Sequence, residues 1–312
     1  MESSDLKVFE AAARLGSITA AAEELHTVQS NVTARIRLLE DELGVHLFRR
    51  HSRGVVLTPA GERLLPYAIK IVQLLNEAAN VAGDSDTSRG RLRIGSLETT
   101  AGVRLPPILA AYRKKFPQVD LILTTGTTGR LIEEVLASRL EGAFVAGPVR
   151  HRDILETQVF NEEMVLVTSP KFRSLDGAFR SSHELNILVL REGCSYRARL
   201  ERLLKARGVA SFGQLEFGTV EGIFGCAREG LGITMMPRSV SERASRNGKL
   251  GIHTLPKDEA FVPTMFIRRR DAGMSAALSR FLECALASSS AAAATQSRLR
   301  KDKRPVKLSG IA

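Results

Sequence analysis

Gln29, Ser30, Thr33, Ala34 and Arg37 share one side of a candidate helix between Val28 and Leu43. Gln, Ser and Thr supply short or bidentate donors and acceptors, and Arg supplies a planar fork. Such a face is suited to base edges and phosphates in a DNA major groove. Each helical residue advances roughly 100°, which puts Val28, Val32, Ile36, Leu39 and Leu43 within about 80° of one another on the opposite side. An ordinary solvated helix face has the same pattern. Arg49, Arg50, His51 and Arg53 then crowd a turn with little apolar cover. A basic hairpin tip suits a phosphate backbone or a minor groove; a salt-bridged surface turn is the alternative.

A second group of residues is hydroxylic. Ser96, Thr99 and Thr100 follow one candidate strand, Thr125, Thr127 and Thr128 follow another, and Cys194, Ser195 and Thr219 open later helices. In α/β sheets, ligands collect off the carboxyl ends of strands. Hydroxyls beside the free N–H groups of helix starts suit a carboxylate or another small anion; plain N-capping is the rival reading. A thiol at a helix start, as at Cys194, is also placed to act as a redox sensor through a lowered pKa.

Catalytic motifs are missing. The three cysteines form no CxxC pair and the six histidines no metal-ligand spacing. GxSxG, GxxxxGK(S/T) and GxGxxG are absent, and TTGTTG lacks the lysine of a nucleotide loop. No catalytic residue, metal or cofactor is therefore expected, and the chain is not read as an enzyme.

The elements that must position these residues follow from periodicity. Asp5–Leu15 reads as a helix closed by Gly16, and Ser17 is an N-cap for ITAAAEELH. The third helix stops at Gly44, and LFRRHSRGVVLT reads as a short hairpin turning at Gly54. Thr58 and Pro59 open a long helix to about Ala82. Its Leu64, Ala68, Ile71, Leu75, Ala78 and Ala82 step by four and three, a heptad seam for a second copy of the chain. A helix packed on its own domain is the competing explanation. GDSDTSRG, residues 83–90, is a polar hinge. Beyond it, the strands LRIGS, VDLILT, GAFVAG, MVLVTSP and ILVLR alternate with helices such as 104–115 and 128–139, which argues for an α/β domain with a mainly parallel sheet. A second set follows: helices near 195–207 and 221–229, a strand near 214–217 and LGITMMP, then VPTMFIR and a helix at 274–287.

Charge adds little. The net charge is +11, yet residues 1–60 carry 7 Lys and Arg against 8 Asp and Glu. Residues 288–312 carry 6 against 1, an Ala/Ser-rich and then basic tail expected to be disordered. The N-terminus shows no basic start followed by an apolar stretch, and no apolar run approaches the roughly 20 residues of a membrane span. The cytoplasm is the default location, with no membrane partner.

The string SITAAAEELHTVQSNVTARIRLLEDELGVHLFRRHSRGVVLTPAGERLL closely resembles the N-terminal domain of LysR-type transcriptional regulators. The AA-x-x-L-H, Q-x-x-x-(S/T)-x-x-I-x-x-LE, LG-x-x-LF-R and LT-x-AG elements stand in order. By this resemblance Gln29, Ser30, Thr33 and Arg37 fall where family members contact DNA, and Arg53 falls at the wing tip. The candidate DNA set is Ser17, Thr19, Gln29, Ser30, Asn31, Thr33, Arg35, Arg37, Arg49, Arg50 and Arg53. Ser30 and Ala34 depart from the proline and arginine common in the family, and Arg35 turns about 100° toward the buried side.

LRIGS–ETT, RLPPILAAYRKKFPQVDL, EGAFVAGP and REGLGITMMP resemble the family's regulatory domain. The resemblance implies an α/β fold: a winged helix-turn-helix (1–58), a linker helix (59–83), a hinge (84–90) and a two-lobed periplasmic-binding-protein-like domain (91–290). Lobe I covers about 91–160 and 262–290, lobe II about 161–261, and two crossover strands join them; the tail is 291–312. It also implies double-stranded operator DNA and a small-molecule effector as partners, a linker-helix homodimer assembling into a homotetramer, and RNA polymerase as a further candidate. A transporter solute-binding protein and an architectural DNA protein without an effector are the remaining rivals.

Overall fold

The computed structural model describes residues 1–51, 54–82, 90–180, 185–191, 193–209, 211–246 and 249–302. Arg53 at the wing tip and hinge residues 84–89 lie outside them. The chain divides into two compact units.

The first unit begins with α1 (Ser3–Leu15), α2 (Ile18–Glu24) and α3 (Gln29–Leu43). α1 ends at Gly16 with φ 63°, the left-handed conformation that glycine adopts at least cost, and the Ser17 hydroxyl accepts from Ala20 N to cap α2. A hairpin follows, β1 (Phe48–His51) against β2 (Gly54–Leu57), pairing Phe48 with Leu57 and His51 with Gly54. Leu6, Phe9, Val32, Ile36, Leu39 and Phe48 are buried together, so three helices and a wing share one core. Val28 and Leu43, expected inside, are 64% and 39% exposed. Val28 is the extended residue before α3 and Leu43 is its last residue, so neither lies over the core.

α4 (Pro59–Ala82) is the long linker helix, and Thr58 caps it by accepting from Gly61 N at 3.1 Å. The expected seam divides along the helix. Ala68 is fully buried, and Leu64 and Ile71 pack on the winged core beside α1. Leu75 and Ala78 are exposed, as are Tyr67 (67%) and Leu74 (49%). Tyr67, Leu74, Leu75 and Ala78 therefore face outward, while Ile71 is half-buried against the winged core. The Ala82 side chain lies outside the described residues.

The second unit opens with β3 (Gly90–Ser96), α5 (Glu98–Val103), α6 (Leu105–Lys115), β4 (Val119–Thr125), α7 (Thr128–Leu136) and β5 (Gly142–Ala146). β6 (Ile154–Thr168), 15 residues long, then leads to α8 (Leu175–Arg180), β7 (Asn186–Leu190), α9 (Ser195–Ala206) and β8 (Gly213–Phe217). α10 (Val220–Glu229), β9 (Thr234–Pro237), α11 (Arg238–Ser245), β10 (Gly251–Thr254) and α12 (Lys257–Ala260) precede β11 (Phe261–Arg269) and α13 (Ala276–Asp302).

The large sheet runs β10-β6-β11-β5-β3-β4, with β9 also on β6. It is mixed rather than mainly parallel. β3 pairs in parallel with β4 and β5, but β11 runs antiparallel to both β5 and β6, and β6 is antiparallel to β9 and β10. The long strands β6 and β11 cross between the lobes, and a crossing pair that leaves one lobe and returns must run antiparallel. β7 and β8 form a separate parallel pair in lobe II. Helix α13 continues to Asp302, where disorder was expected from 291. The run AAAAT carries the strongest helix former, so the chain does not stop at the domain edge. Residues 303–312 lie outside the described set. No described helix is long and apolar enough to cross a membrane.

Candidate nucleic-acid interface and ligand seam

Gln29, Ser30, Asn31 and Arg37 are exposed on α3, with Thr33 half-buried beside them and Thr19 exposed on α2. Ser17 is committed to its cap, and the Asn31 amide donates to Thr27 Oγ1 at 2.8 Å, which ties the start of α3 to the preceding turn. Arg35 is half-buried and tied within the fold. Its Nη1 donates to Asp5 Oδ1 at 2.9 Å and to Ser4 Oγ at 2.7 Å, joining α3 to α1. The roughly 100° rotation from Ala34 turns it toward the helical core, and the acid there holds it.

Arg49, Arg50 and His51 are exposed on β1. The hairpin that carries them is fastened at both strands. Val55 N donates to Gly16 O at 2.9 Å, and a Cβ on Gly54 would lie 2.2 Å from that same carbonyl. Thr58 Oγ1 donates to His46 O at 2.7 Å while Thr58 N donates to Leu47 O at 2.9 Å. A Cβ on Gly61 would lie 2.3 Å from Leu47 O, so only glycine lets the first turn of α4 approach the wing root this closely. The LT-x-AG element thereby acquires a physical reason. Between α3 and β1 lies a groove of about 480 Å³, floored by Ile18, Ile36, Phe48 and Val55. Arg37 and Arg50 line it together with Glu40, Asp41 and His46, so helix and wing each contribute a cation to one face.

In the second unit, residues of the two lobes meet at a seam built largely around α5. Thr99 Oγ1 lies 3.5 Å from the Tyr196 hydroxyl in α9, and Val220 N at the start of α10 donates to Glu98 Oε1 at 3.3 Å. Gly129 N donates to Gly193 O at 3.3 Å, bringing Thr127 and Thr128 up to the start of α9. Thr128 Oγ1 accepts from Ala146 N at 3.4 Å. Arg104 donates from Nε and Nη2 to the Glu162 carboxylate at 2.7 and 2.9 Å, and Arg243 donates to Gly102 O at 3.0 Å.

The two sequence-marked hydroxyl clusters and the start of α9 are thus brought together. Three of the expected residues stand otherwise. Ser96 donates to Leu97 O, Thr219 is an exposed cap for Gly222 N, and Thr125 is exposed. Burial raises the Cys194 thiol above its ordinary pKa, the reverse of an activated thiolate. Burial likewise raises the Tyr196 hydroxyl and keeps it protonated as a donor.

Sequence reasoning missed Glu98, Tyr196, the Arg104–Glu162 pair and Thr264. Thr264 Oγ1 is buried and has no hydrogen-bond partner among the described residues, and Thr264 pairs across the sheet with Ala146, the residue bonded to Thr128. Glu98, an acid in the first turn of α5, carries a signal that could have found it; no local signal marked Thr264.

A winged helix-turn-helix with an exposed polar recognition face, a linker helix and a two-lobed α/β module together define a DNA-binding transcription regulator. Residues 3–62 match the bacterial regulatory helix-turn-helix protein model of the lysR family, and residues 85–290 match the LysR substrate binding domain. The chain belongs to the LysR family of transcriptional regulators. The transcriptional regulator GltR of Bacillus subtilis (strain 168) is 46% identical over 277 residues, covering 89% of this chain and 93% of its own. YofA of Bacillus velezensis is 43% identical over 282 residues, covering 90% and 96%. Full-length OxyR from Pseudomonas aeruginosa, in a cysteine variant, shares the fold with a TM-score of 0.72 at 21% identity, covering 93% of this chain and 94% of its own. CbnR in complex with its target DNA gives a TM-score of 0.60 at 24% identity, covering 92% and 100%. GltR and YofA are both named as transcriptional regulators and not as enzymes.

Proposed function

We propose that a small anionic metabolite, bound at the seam beside α5, modulates this regulator's grip on a double-stranded promoter operator. Gln29, Ser30, Thr33 and Arg37 read the operator in the major groove, with Thr19 beside them, while Arg49, Arg50 and Arg53 hold its backbone. The convergence of Thr99, Thr127 and Thr128 with the start of α9 carries the effector reading. It places hydroxyls and helix-start N–H groups at one junction between two lobes, a chemistry that suits a carboxylate. The buried, unpartnered Thr264 hydroxyl is a further donor there.

Two copies join through α4, where Leu75 and Ala78 of the expected seam are exposed with Tyr67 and Leu74 beside them, which presents two recognition helices to a two-fold operator. Two dimers build a homotetramer through their regulatory domains, and RNA polymerase is a partner at the promoter. A thermal-shift screen of small carboxylates tests the effector, with operator affinity measured with and without each hit. Thr99→Val with Thr128→Val keeps side-chain volume while removing both hydroxyls. Regulation unchanged in that variant would refute the seam as the effector site.

A further inference from the structure

Glu40 stands on α3 one turn beyond Arg37, and its side chain reaches across the groove to the wing. Oε1 accepts from Leu47 N at 2.6 Å and from Phe48 N at 3.2 Å, the two consecutive amides that open β1. Oε2 lies 3.6 Å from His46 Nδ1, and the side chain is only 12% exposed. A carboxylate receiving two backbone N–H groups makes charge-assisted bonds, about twice as strong as neutral ones. Along the groove the two sides stand apart by a space of about 480 Å³, with Arg37 on the helix side and Arg50 on the strand side.

We infer that Glu40 is a positioning residue for DNA binding: it fixes β1 against the recognition helix, so that Arg49 and Arg50 meet the backbone in register with the α3 contacts. Two adjacent amides on one oxygen define both the distance and the direction in which the strand leaves. Phe48 anchors the root from below by packing 5.3 Å from the Phe9 ring. Thr58 holds the root at the His46 and Leu47 carbonyls, on the side of α4, and the two amide bonds to Glu40 fix the same residues on the side of α3. The inference rests on the reading that α3 and the wing together face DNA.

The test uses the full chain and a duplex that the wild-type protein selects from a random pool, with anisotropy titrations from about 50 to 300 mM KCl, the range over which phosphate binding is salt-sensitive. Glu40→Ala is expected to weaken binding roughly tenfold and to flatten the salt dependence, by about 0.9 in slope for each phosphate that the wing no longer neutralises. A loss of folded protein lowers the active fraction and leaves that slope unchanged. Arg50→Ala is expected to cost little more in the Glu40→Ala background, whereas Gln29→Ala retains its full effect there. Glu40→Gln, which keeps an acceptor at Oε1, restores binding and slope; Glu40→Asp, one methylene short, does not. Hydrogen exchange at the Leu47 and Phe48 amides follows the tie directly, and the Gln and Asp variants keep the test decisive if the Ala variant fails to fold. An unchanged slope with fully additive Arg50→Ala overturns the inference while leaving the DNA face intact. If Arg50→Ala and Gln29→Ala are each silent in the wild-type chain, the DNA-face reading falls and the inference falls with it.

Discussion

Removing the Glu162 carboxylate isolates one tie at the seam of the lobes. Glu162 lies on crossover strand β6, its side chain 5% exposed, and takes both Nε and Nη2 of Arg104, which is 19% exposed. The guanidinium also lies over the Phe160 ring, 5.6 Å from its centroid. Deleting one partner of a buried pair costs roughly 3–5 kcal/mol, mostly because the other charge is left uncompensated. Water reaches part of Arg104, so about 2–3 kcal/mol is the appropriate range for Glu162→Ala by the same argument. For a module of this size that corresponds to a fall in midpoint of about 5–10 °C. The double variant Glu162→Leu with Arg104→Met removes both charges and is expected to lose much less than the sum of the single changes. Urea unfolding of the intact chain, read by hydrogen exchange and mass spectrometry, reports β6 and α5 peptides separately from the winged unit. A single-variant cost below about 1 kcal/mol would show that the pair is solvated in practice. A double variant as unstable as the sum would show that the cost lies in packing. Either result refutes the reasoning.

Gly61→Ala places a Cβ 2.3 Å from Leu47 O and 2.8 Å from Leu57 Cδ2, and is expected to cost about 1–3 kcal/mol in thermal unfolding. Gly102→Ala in helix α5, with nothing within 4 Å, is the control and should be neutral or stabilising. Arg35→Ala should lower stability by up to about 1 kcal/mol yet change operator affinity less than roughly threefold, because its fork is held by Ser4 and Asp5. A large affinity loss at unchanged stability would keep Arg35 in the DNA set. Burial lowers the pKa of His253, whose Nε2 lies 2.9 Å from Thr168 Oγ1. The unfolded chain therefore binds the proton more readily, and stability is lost as pH falls from the ordinary histidine value of about 6.5 toward the folded one. His253→Gln should flatten the stability profile between about pH 7.5 and 5; an unchanged profile rejects the assignment. Cys194 should alkylate with iodoacetamide at about pH 8 more slowly than a free thiol, as its raised pKa requires, and site-resolved mass spectrometry measures it.

The winged unit was legible because its signals are local. Gly16 and Gly44 stop helices where the sequence places them, Ser17 and Thr58 cap as their types suggest, and Val32, Ile36 and Leu39 bury together. The errors come from competition between equally periodic solutions. The α4 pattern supports a seam through Ala68 or one through Tyr67, since both step by four and three. Ala68 is buried against the winged core of its own chain, and a helical wheel contains no information about which neighbour a residue meets. Arg35 shows a related dependence: the side chain is chemically fit for DNA, and its partners across 30 and 31 residues of chain, Asp5 and Ser4, tie its Nη1 within the fold.

The regulatory unit shows the same division more sharply. Alternating strands and helices revealed an α/β domain, but strand direction is set by connections between lobes, so the antiparallel pairing of β6 with β11 left no trace in either strand's own residues. The seam is the extreme case. Thr99 and Thr128 were marked by their place after the carboxyl ends of strands, a local property. Glu98 and Tyr196 act through bonds to residues 122 and 97 positions away, and their roles exist only once the lobes have met. Glu98 occupies the first free N–H of α10, the kind of donor that an anionic ligand would seek. An effector with a carboxylate would therefore meet this acid at the seam and compete with it for the same donor. On the proposed reading, an effector carboxylate that displaces Glu98 exchanges the α5–α10 tie for its own contact with the start of α10.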